Sequence, residues 1–249
     1  MSQWFTTFSM RRPEAPIQLL CLPSSGGGAS LYRPWLDRLT YAELHAAMLP
    51  GRERRLAEPP MDSMAQLIRA LVPEVAKLAG RPYALFGHSM GALVAFELTR
   101  ALAAHNHPLP VRLFVSAYRS PERPRRMRNL HHLPHDEFVD ALRMYGGTPE
   151  AVLQHQETME LLLPMIRADF KLHEAHQFQT EPPVDVPITA FCGRSDHIVP
   201  PQELEGWNAH TRSDFALHSY PGAHFFIHDS RDAVIAQIEK DLKHDLVMA

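Results

Sequence analysis

The stretch Gly87-His88-Ser89-Met90-Gly91 constrains this chain more than any other. It reads Gly-x-Ser-x-Gly, between the apolar run Tyr83-Ala84-Leu85-Phe86 and the helix-like run Ala92–Leu102. A serine on a sharp turn between strand and helix has its hydroxyl held out at the carboxyl edge of a sheet. The two glycines leave room for close backbone approach, because neither has a Cβ. A helix starting directly behind Ser89 aims free N–H groups and its positive dipole end at any oxyanion that forms there. A bare turn with an exposed serine would need neither the preceding strand nor the following helix. The context therefore predicts a nucleophilic serine on an α/β sheet.

The rest of the chain supplies that sheet. At 249 residues and 45% apolar content, it is long enough to bury one sizeable core. Strand-like runs fall at Ile17–Leu22, Leu44–Leu49, Tyr83–Phe86, Val111–Ser116, Val186–Cys192 and Phe215–Tyr220. Helical patterns fall between them at Tyr32–Leu39, Met64–Leu78 and Ala92–Leu102, and Ala233–Val247 closes the chain. Pro73 is awkward inside the second of these helices and is expected to kink or split it. Alternation of this kind implies one domain with a mostly parallel central sheet and helices on both faces. From about 121 to 183 the rhythm breaks. No strand pattern appears there, but Asp136–Leu142 and Glu157–Phe170 look helical around the spacer Gly146-Gly147-Thr148-Pro149. About sixty residues is long for one crossover, so this segment is read as a helical lid inserted over the strand edges rather than as ordinary crossover helices.

A serine hydroxyl is a poor nucleophile at neutral pH. It needs a base to take its proton and a third group to orient that base. In folds with this elbow the order along the chain is Ser, acid, His. Asp196 follows the Val186–Cys192 strand in a turn, and His224 follows the Phe215–Tyr220 strand, so both are carried to the edge that holds Ser89. Glu122 is the second choice of acid, ahead of Asp185 and Asp214. His88, His218 and His228 are weaker candidates for the base. The glycine-rich turn Pro23-Ser24-Ser25-Gly26-Gly27-Gly28 is not a phosphate-binding P-loop, since no Gly-Lys-Ser/Thr follows, and no Gly-x-Gly-x-x-Gly marks a dinucleotide site. Its better reading is an oxyanion donor: the backbone N–H of Ser25 joins that of Met90.

Several function classes recede. A formal charge of −3 gives no bulk basic field for nucleic acid. The local cluster Arg119, Arg123, Arg125, Arg126, Arg128 reads either as a solvated face or as a patch facing an acidic partner. Cys21 and Cys192 lie in apolar strand-like runs and are expected to be buried free thiols. No metal site is expected. His173 and His176 do not form His-Glu-x-x-His, and His131, His132 and His135 lack partners at a ligand spacing. No run reaches the roughly 20 apolar residues of a membrane span. No signal peptide is visible, so the cytoplasm is the expected location.

Five segments together resemble the type II thioesterases, the stand-alone editing enzymes of non-ribosomal peptide and polyketide synthesis. They are Leu22–Trp35 with its glycine-rich turn, Leu49-Pro50-Gly51-Arg52-Glu53-Arg54-Arg55, Gly87–Ala92, Gly193-x-x-Asp196, and Gly222-x-His224-Phe225-Phe226. The resemblance spans nearly the whole chain. Leu22 and the pair Ser24-Ser25 depart from the residues usual in that family. The resemblance implies an α/β-hydrolase fold and no cofactor. It implies hydrolysis of acyl thioesters from the phosphopantetheine arm of acyl or peptidyl carrier proteins. Two rivals remain: a small-molecule carboxylesterase or lipase, since the fold hosts many acyl-transfer chemistries, and a non-catalytic interaction protein built on a hydrolase fold.

Overall fold

The computed structural model describes residues 3–8 and 10–248. Seven strands form one sheet: β1 (Phe5–Thr6), β2 (Ile17–Leu22), β3 (Ala42–Ala47), β4 (Tyr83–His88), β5 (Leu113–Ser116), β6 (Ile188–Gly193) and β7 (Phe215–Tyr220). Their order across the sheet is β1-β3-β2-β4-β5-β6-β7. Every neighbouring pair is parallel except β1 with β3. The helices are α1 (Met64–Leu78), α2 (Met90–Ala104), α3 (His135–Tyr145), α4 (Glu150–Leu153), α5 (Gln156–Glu174), α6 (Phe226–Asp229) and α7 (Arg231–Met248). This is the α/β-hydrolase architecture.

The inner strands β2, β4, β5 and β6 are buried throughout, as continuous apolar runs in a parallel sheet should be. Alternate side chains divide between two cores. Leu20, Leu22, Leu85, Leu113, Val115 and Ile188 pack with α1 and α2. Leu19, Cys21, Ala84, Phe86, Phe114 and Phe191 pack on the other face with α7 and the turn containing Tyr32 and Trp35. Helix α7 is also tied down by polar contacts: Arg112, just before β5, donates to both carboxylate oxygens of Asp245 at 2.6 and 2.7 Å, and Thr189 donates to Asp241 at 2.9 Å.

Between β5 and β6 the chain builds α3, α4 and α5, which share a third core of Leu130, Phe138, Leu142, Leu153, Met159, Leu163, Met165, Ile166 and Phe170. No strand interrupts this segment among the described residues.

Three expectations need adjustment, and one strand is additional. The second expected strand begins and ends two residues earlier, at Ala42–Ala47. Tyr32–Leu39 is not an α-helix; the chain there forms a 3-10 turn over Ala29–Trp35, with Pro34 inside it withholding a backbone donor. Helix α1 runs through Pro73, which lies on the exposed side as does Arg69 one turn before it, so water can satisfy the carbonyl the proline leaves unpaired. Strand β1 has no counterpart among the expected strands. It adds two residues antiparallel to β3, pairing Phe5 with Ala47 and Thr6 with Ala46.

Candidate active site

Strand β4 delivers Ser89 to the carboxyl edge of the sheet. Its φ of 54° and ψ of −122° put it in a region that L-residues rarely adopt. The turn is tight enough to demand both glycines. A Cβ on Gly87 would lie 2.5 Å from the Ala92 nitrogen, and one on Gly91 would lie 2.7 Å from the Pro23 carbonyl oxygen. The second contact brings the loop after β2 against the start of α2. Ser89 N–H donates to the Ser116 carbonyl at 2.7 Å, which ties the elbow to the end of β5.

The next two strands deliver the partners. Ser195 N–H donates to the Gly222 carbonyl at 3.0 Å, and Arg194 N–H donates to that of Tyr220 at 2.8 Å, locking the loop after β6 to the loop after β7. Across them, His224 Nε2 lies 3.0 Å from Ser89 Oγ, and His224 Nδ1 lies 2.9 Å from Asp196 Oδ2. The other carboxylate oxygen, Asp196 Oδ1, accepts from the backbone N–H groups of Ile198 (2.8 Å) and Val199 (2.9 Å). Asp196 and His224 are both buried, while Ser89 keeps partial access to solvent. An acceptor-only carboxylate holds the imidazole with its proton on Nδ1, which leaves Nε2 free to accept the serine proton.

The competing residues are occupied elsewhere. Glu122, the second-choice acid, pairs with His210 at 2.6 Å and accepts from Ser120 at 2.7 Å. His88 is buried with Nδ1 3.0 Å from Ser116 Oγ. Burial, and then the nearby His224 and His228, hold its pKa well below the ordinary histidine value. His218 lies against Phe191 and His228 stacks on Phe225. Ser25 lies in the loop beside the elbow. That loop is held by Gly27 N–H donating to Ser24 O at 2.9 Å, and by Gly26 N–H donating to Asp169 Oδ2 at 2.8 Å. Met90 opens α2 directly after the serine.

A cleft opens over Ser89 and His224. Its walls include Tyr118, Arg119, Arg125, Tyr145, His173 and Ile198. Tyr145, at the end of α3, sets its ring edge-on to that of His224 at 5.6 Å, and Phe225 flanks the imidazole at 5.4 Å. Burial pushes the Tyr145 hydroxyl up to about 12. Burial, then Arg125, pushes the His173 pKa well down. Sequence reasoning singled out neither Tyr145 nor His173 as a wall of this cleft, nor Asp169 beside it. Only Gly146-Gly147 hinted at Tyr145, since glycines are where a helix end can be placed.

Much of the basic cluster is neutralised by carboxylates. Arg125 pairs with Glu174 at 2.9 Å, Arg128 with Glu137 at 2.9 Å, and Arg126 with Glu203. Among the described residues no group of three or more His, Cys, Asp or Glu side chains is placed to hold a metal ion. His131 contacts Glu174 at 2.5 Å, and His176 contacts Glu97 at 3.1 Å. Cys21 and Cys192 are buried and unpaired, and burial raises the pKa of both. No helix among the described residues is long and apolar enough to cross a membrane.

Sheet order, elbow and the Ser–His–Asp contact together define an α/β hydrolase of the serine type. The family described as "Thioesterase domain" matches residues 17–242. Gramicidin S biosynthesis protein GrsT of Aneurinibacillus migulanus is 39% identical over 250 residues, covering 100% of this chain and 96% of that protein. The type II thioesterase BorB from the borrelidin biosynthetic cluster superposes with a TM-score of 0.86 at 36% identity, over 95% of this chain and 96% of its own. ClbQ from the colibactin NRPS/PKS pathway superposes with a TM-score of 0.88 at 32% identity, over 94% and 99%. The chain belongs to the thioesterase family and is a thioester hydrolase.

Proposed function

We propose that Ser89 is the nucleophile, His224 the general base and Asp196 its orienting acid, and that the backbone N–H groups of Met90 and Ser25 form the oxyanion hole. The observation that carries this reading is the unbroken contact Ser89 Oγ–His224 Nε2–Asp196 under an open cleft. His224 takes the proton as Ser89 Oγ attacks the thioester carbonyl. The two N–H groups stabilise the resulting oxyanion, each contributing about 3 kcal/mol. The thiol leaves, taking the proton back from His224, and an acyl-serine remains. His224 then activates water, and the second collapse releases the carboxylic acid and frees Ser89.

The relatives support a substrate class. GrsT is named for gramicidin S biosynthesis, BorB is a type II thioesterase of the borrelidin biosynthetic cluster, and ClbQ is named for the colibactin NRPS/PKS pathway. The proposed substrate is accordingly an acyl group held as a thioester on the phosphopantetheine arm of an acyl or peptidyl carrier protein, and its release clears stalled chains. Helices α3, α4 and α5 are proposed to act as a lid over the arm. They carry a core of their own, and α3 reaches His224 through Tyr145.

The test is hydrolysis of a panel of acyl groups loaded on carrier proteins, run beside a small oxygen ester. The expected result is faster release from the carrier and its loss in Ser89→Ala with the fold retained. Full turnover by that variant refutes the assignment of the serine. A preference for the small oxygen ester favours a general carboxylesterase instead.

A further inference from the structure

The loop after β2 is not held by its own contacts alone. Gly26 N–H donates to Asp169 Oδ2 at 2.8 Å, and Asp169 belongs to α5, 143 residues further along the chain. The same carboxylate receives Arg52 in a two-point pair, Nη1 to Oδ2 at 2.7 Å and Nη2 to Oδ1 at 2.6 Å. Arg52 Nη1 also donates to the Gly27 carbonyl at 2.8 Å. Arg52 and Asp169 are both buried, at 5% and 1% exposure. One residue on, Glu53 grips the far side of the loop, accepting from Ala29 N–H at 3.1 Å and Ser30 N–H at 2.9 Å. Ile166, one turn before Asp169 on α5, packs where a Cβ at Gly26 would meet it at 3.4 Å.

A buried ion pair is a poor device for stability, since desolvating two charges offsets most of their attraction. It is a good device for fixing geometry, because a two-point arginine–carboxylate contact is planar and directional. The groups it fixes here are the peptide N–H of Gly26 and the C=O of Gly27, the residues that follow Ser25.

We infer that Asp169 and Arg52 are positioning residues for the oxyanion hole: through Gly26 and Gly27 they set the Ser25 peptide, and so couple α5 to the stabilisation of charge at Ser89. This rests on the assignment of Ser89 and Ser25 above. Its signature is a defect in transition-state stabilisation with substrate binding left intact, because neither side chain lines the cleft over Ser89. A displaced donor loses rate steeply, with about 1 Å of misplacement costing on the order of 100-fold.

The experiment measures hydrolysis of an acyl-N-acetylcysteamine thioester, and inhibition by phenylboronic acid, whose tetrahedral adduct on Ser89 carries an oxygen into the hole. The variants are Asp169→Ala, Asp169→Asn and Arg52→Lys, with folding checked by circular dichroism and thermal unfolding. The expected fall in kcat for Asp169→Ala is about 10- to 100-fold. KM stays within about twofold, and the affinity for phenylboronic acid falls in step with kcat. Asp169→Asn keeps an acceptor for Gly26 N–H and lies between Asp169→Ala and the parent. Folded variants with parental kcat overturn the inference, and so does a loss seen in KM alone. If Asp169→Ala does not fold, Asp169→Asn and Arg52→Lys decide the matter. If none of the three folds, the pair is a folding determinant and the inference falls. Ser89→Ala run alongside separates the two levels: its retained turnover would refute the site assignment itself, whatever the loop variants do.

Discussion

Replacing Asp196 by asparagine is nearly isosteric, yet the hydrogen bonds around this residue make it severe. Asp196 Oδ1 accepts from two backbone donors, Ile198 N–H at 2.8 Å and Val199 N–H at 2.9 Å. An asparagine must turn its carbonyl oxygen toward those donors, since its NH2 group would oppose two N–H groups and leave them unsatisfied at a cost of about 1–3 kcal/mol each. Its NH2 group then faces His224 Nδ1, where Asp196 Oδ2 lies at 2.9 Å. Nδ1 becomes an acceptor, the ring proton moves to Nε2, and Nε2 can no longer take the proton from Ser89 at 3.0 Å. The wrong tautomer is expected to cost about 10⁴-fold in kcat, as in the corresponding change in a serine protease. At 1.36 kcal/mol per tenfold that is about 5.4 kcal/mol of barrier. The assay is release of thiol from an acyl-N-acetylcysteamine thioester, followed with a thiol reagent at pH 7.5. Asp196→Ala is the control that sharpens the argument. It withdraws orientation without enforcing a tautomer, so it should be no worse than Asp196→Asn despite removing more atoms. An Asp196→Asn variant within tenfold of the parent, or one clearly better than Asp196→Ala, refutes the tautomer reasoning.

Other expectations come from packing and titration. Gly91→Ala drives a methyl into the backbone carbonyls of Leu22 and Pro23, and Leu22 is held in the β2–β4 pairing opposite Gly87; a loss of about 3 kcal/mol or more is expected, read as a fall in the urea midpoint, and an unchanged midpoint counts against so tight an elbow. Asp245→Ala leaves the buried Arg112 guanidinium with Thr189 as its remaining hydrogen-bond partner among the described residues and should destabilise by about 1–3 kcal/mol, measured by thermal unfolding. Burial depresses the pKa of His88 and of His173, so the unfolded chain binds protons at these positions before the folded one does. Their neutral forms are stable in the fold above about pH 6.5; as pH falls below that value stability drops, by up to about 1.4 kcal/mol per pH unit for each group. Glu43 and Glu122 have lowered folded pKa values, and their contribution is lost only below the ordinary glutamate range. The unfolding temperature should therefore decline between pH 6.5 and 5, and a flat profile there would mean that these histidines are not buried neutral.

What the sequence discloses about this site follows the range of the interactions. The elbow is local: two glycines, a strand and a helix lie within twenty residues, so Ser89 and Met90 are legible from pattern alone. Asp196 and His224 are legible because parallel strands deliver every carboxyl end to one edge, which converts a chain order into a spatial one. Strand β1 escapes notice because two residues carry no periodicity. It exists because β3 offers an edge to pair with. Tyr32–Leu39 reads as a helix because Tyr32 and Trp35 have helical spacing, but the chain there tightens into a 3-10 turn over Ala29–Trp35. The grip of Asp169 on Gly26 joins residues 143 apart, and the Arg52 pair joins residues 117 apart. No local pattern marks such partners. A buried aspartate on α5 reads like any other polar residue on an amphipathic helix until the loop that it holds is placed beside it.

The charges around the serine bear on how the cleft can serve both halves of the proposed chemistry. His224 must become cationic during each proton transfer, and Asp196 lies directly behind it to stabilise that charge. A second cation close by would oppose it. His88, whose ring centre is 5.6 Å away, is held neutral by burial and adds no such repulsion. Arg125 and Arg126 line the same cleft, but each is matched by a buried carboxylate, Glu174 and Glu203. Arg119 has no carboxylate partner among the described residues; its Nε donates to the Arg123 carbonyl at 2.8 Å, and its guanidinium lies over the Tyr118 ring. The cleft thus offers one uncompensated cation at its wall and paired ones elsewhere. Under the proposed function that cation is the group available to an anionic part of the substrate, while the pairing of Arg125 and Arg126 limits the positive charge they present to His224. Removing Glu174 would release Arg125 toward the site, and the same reasoning makes it harmful to proton transfer even though Glu174 touches neither Ser89 nor His224.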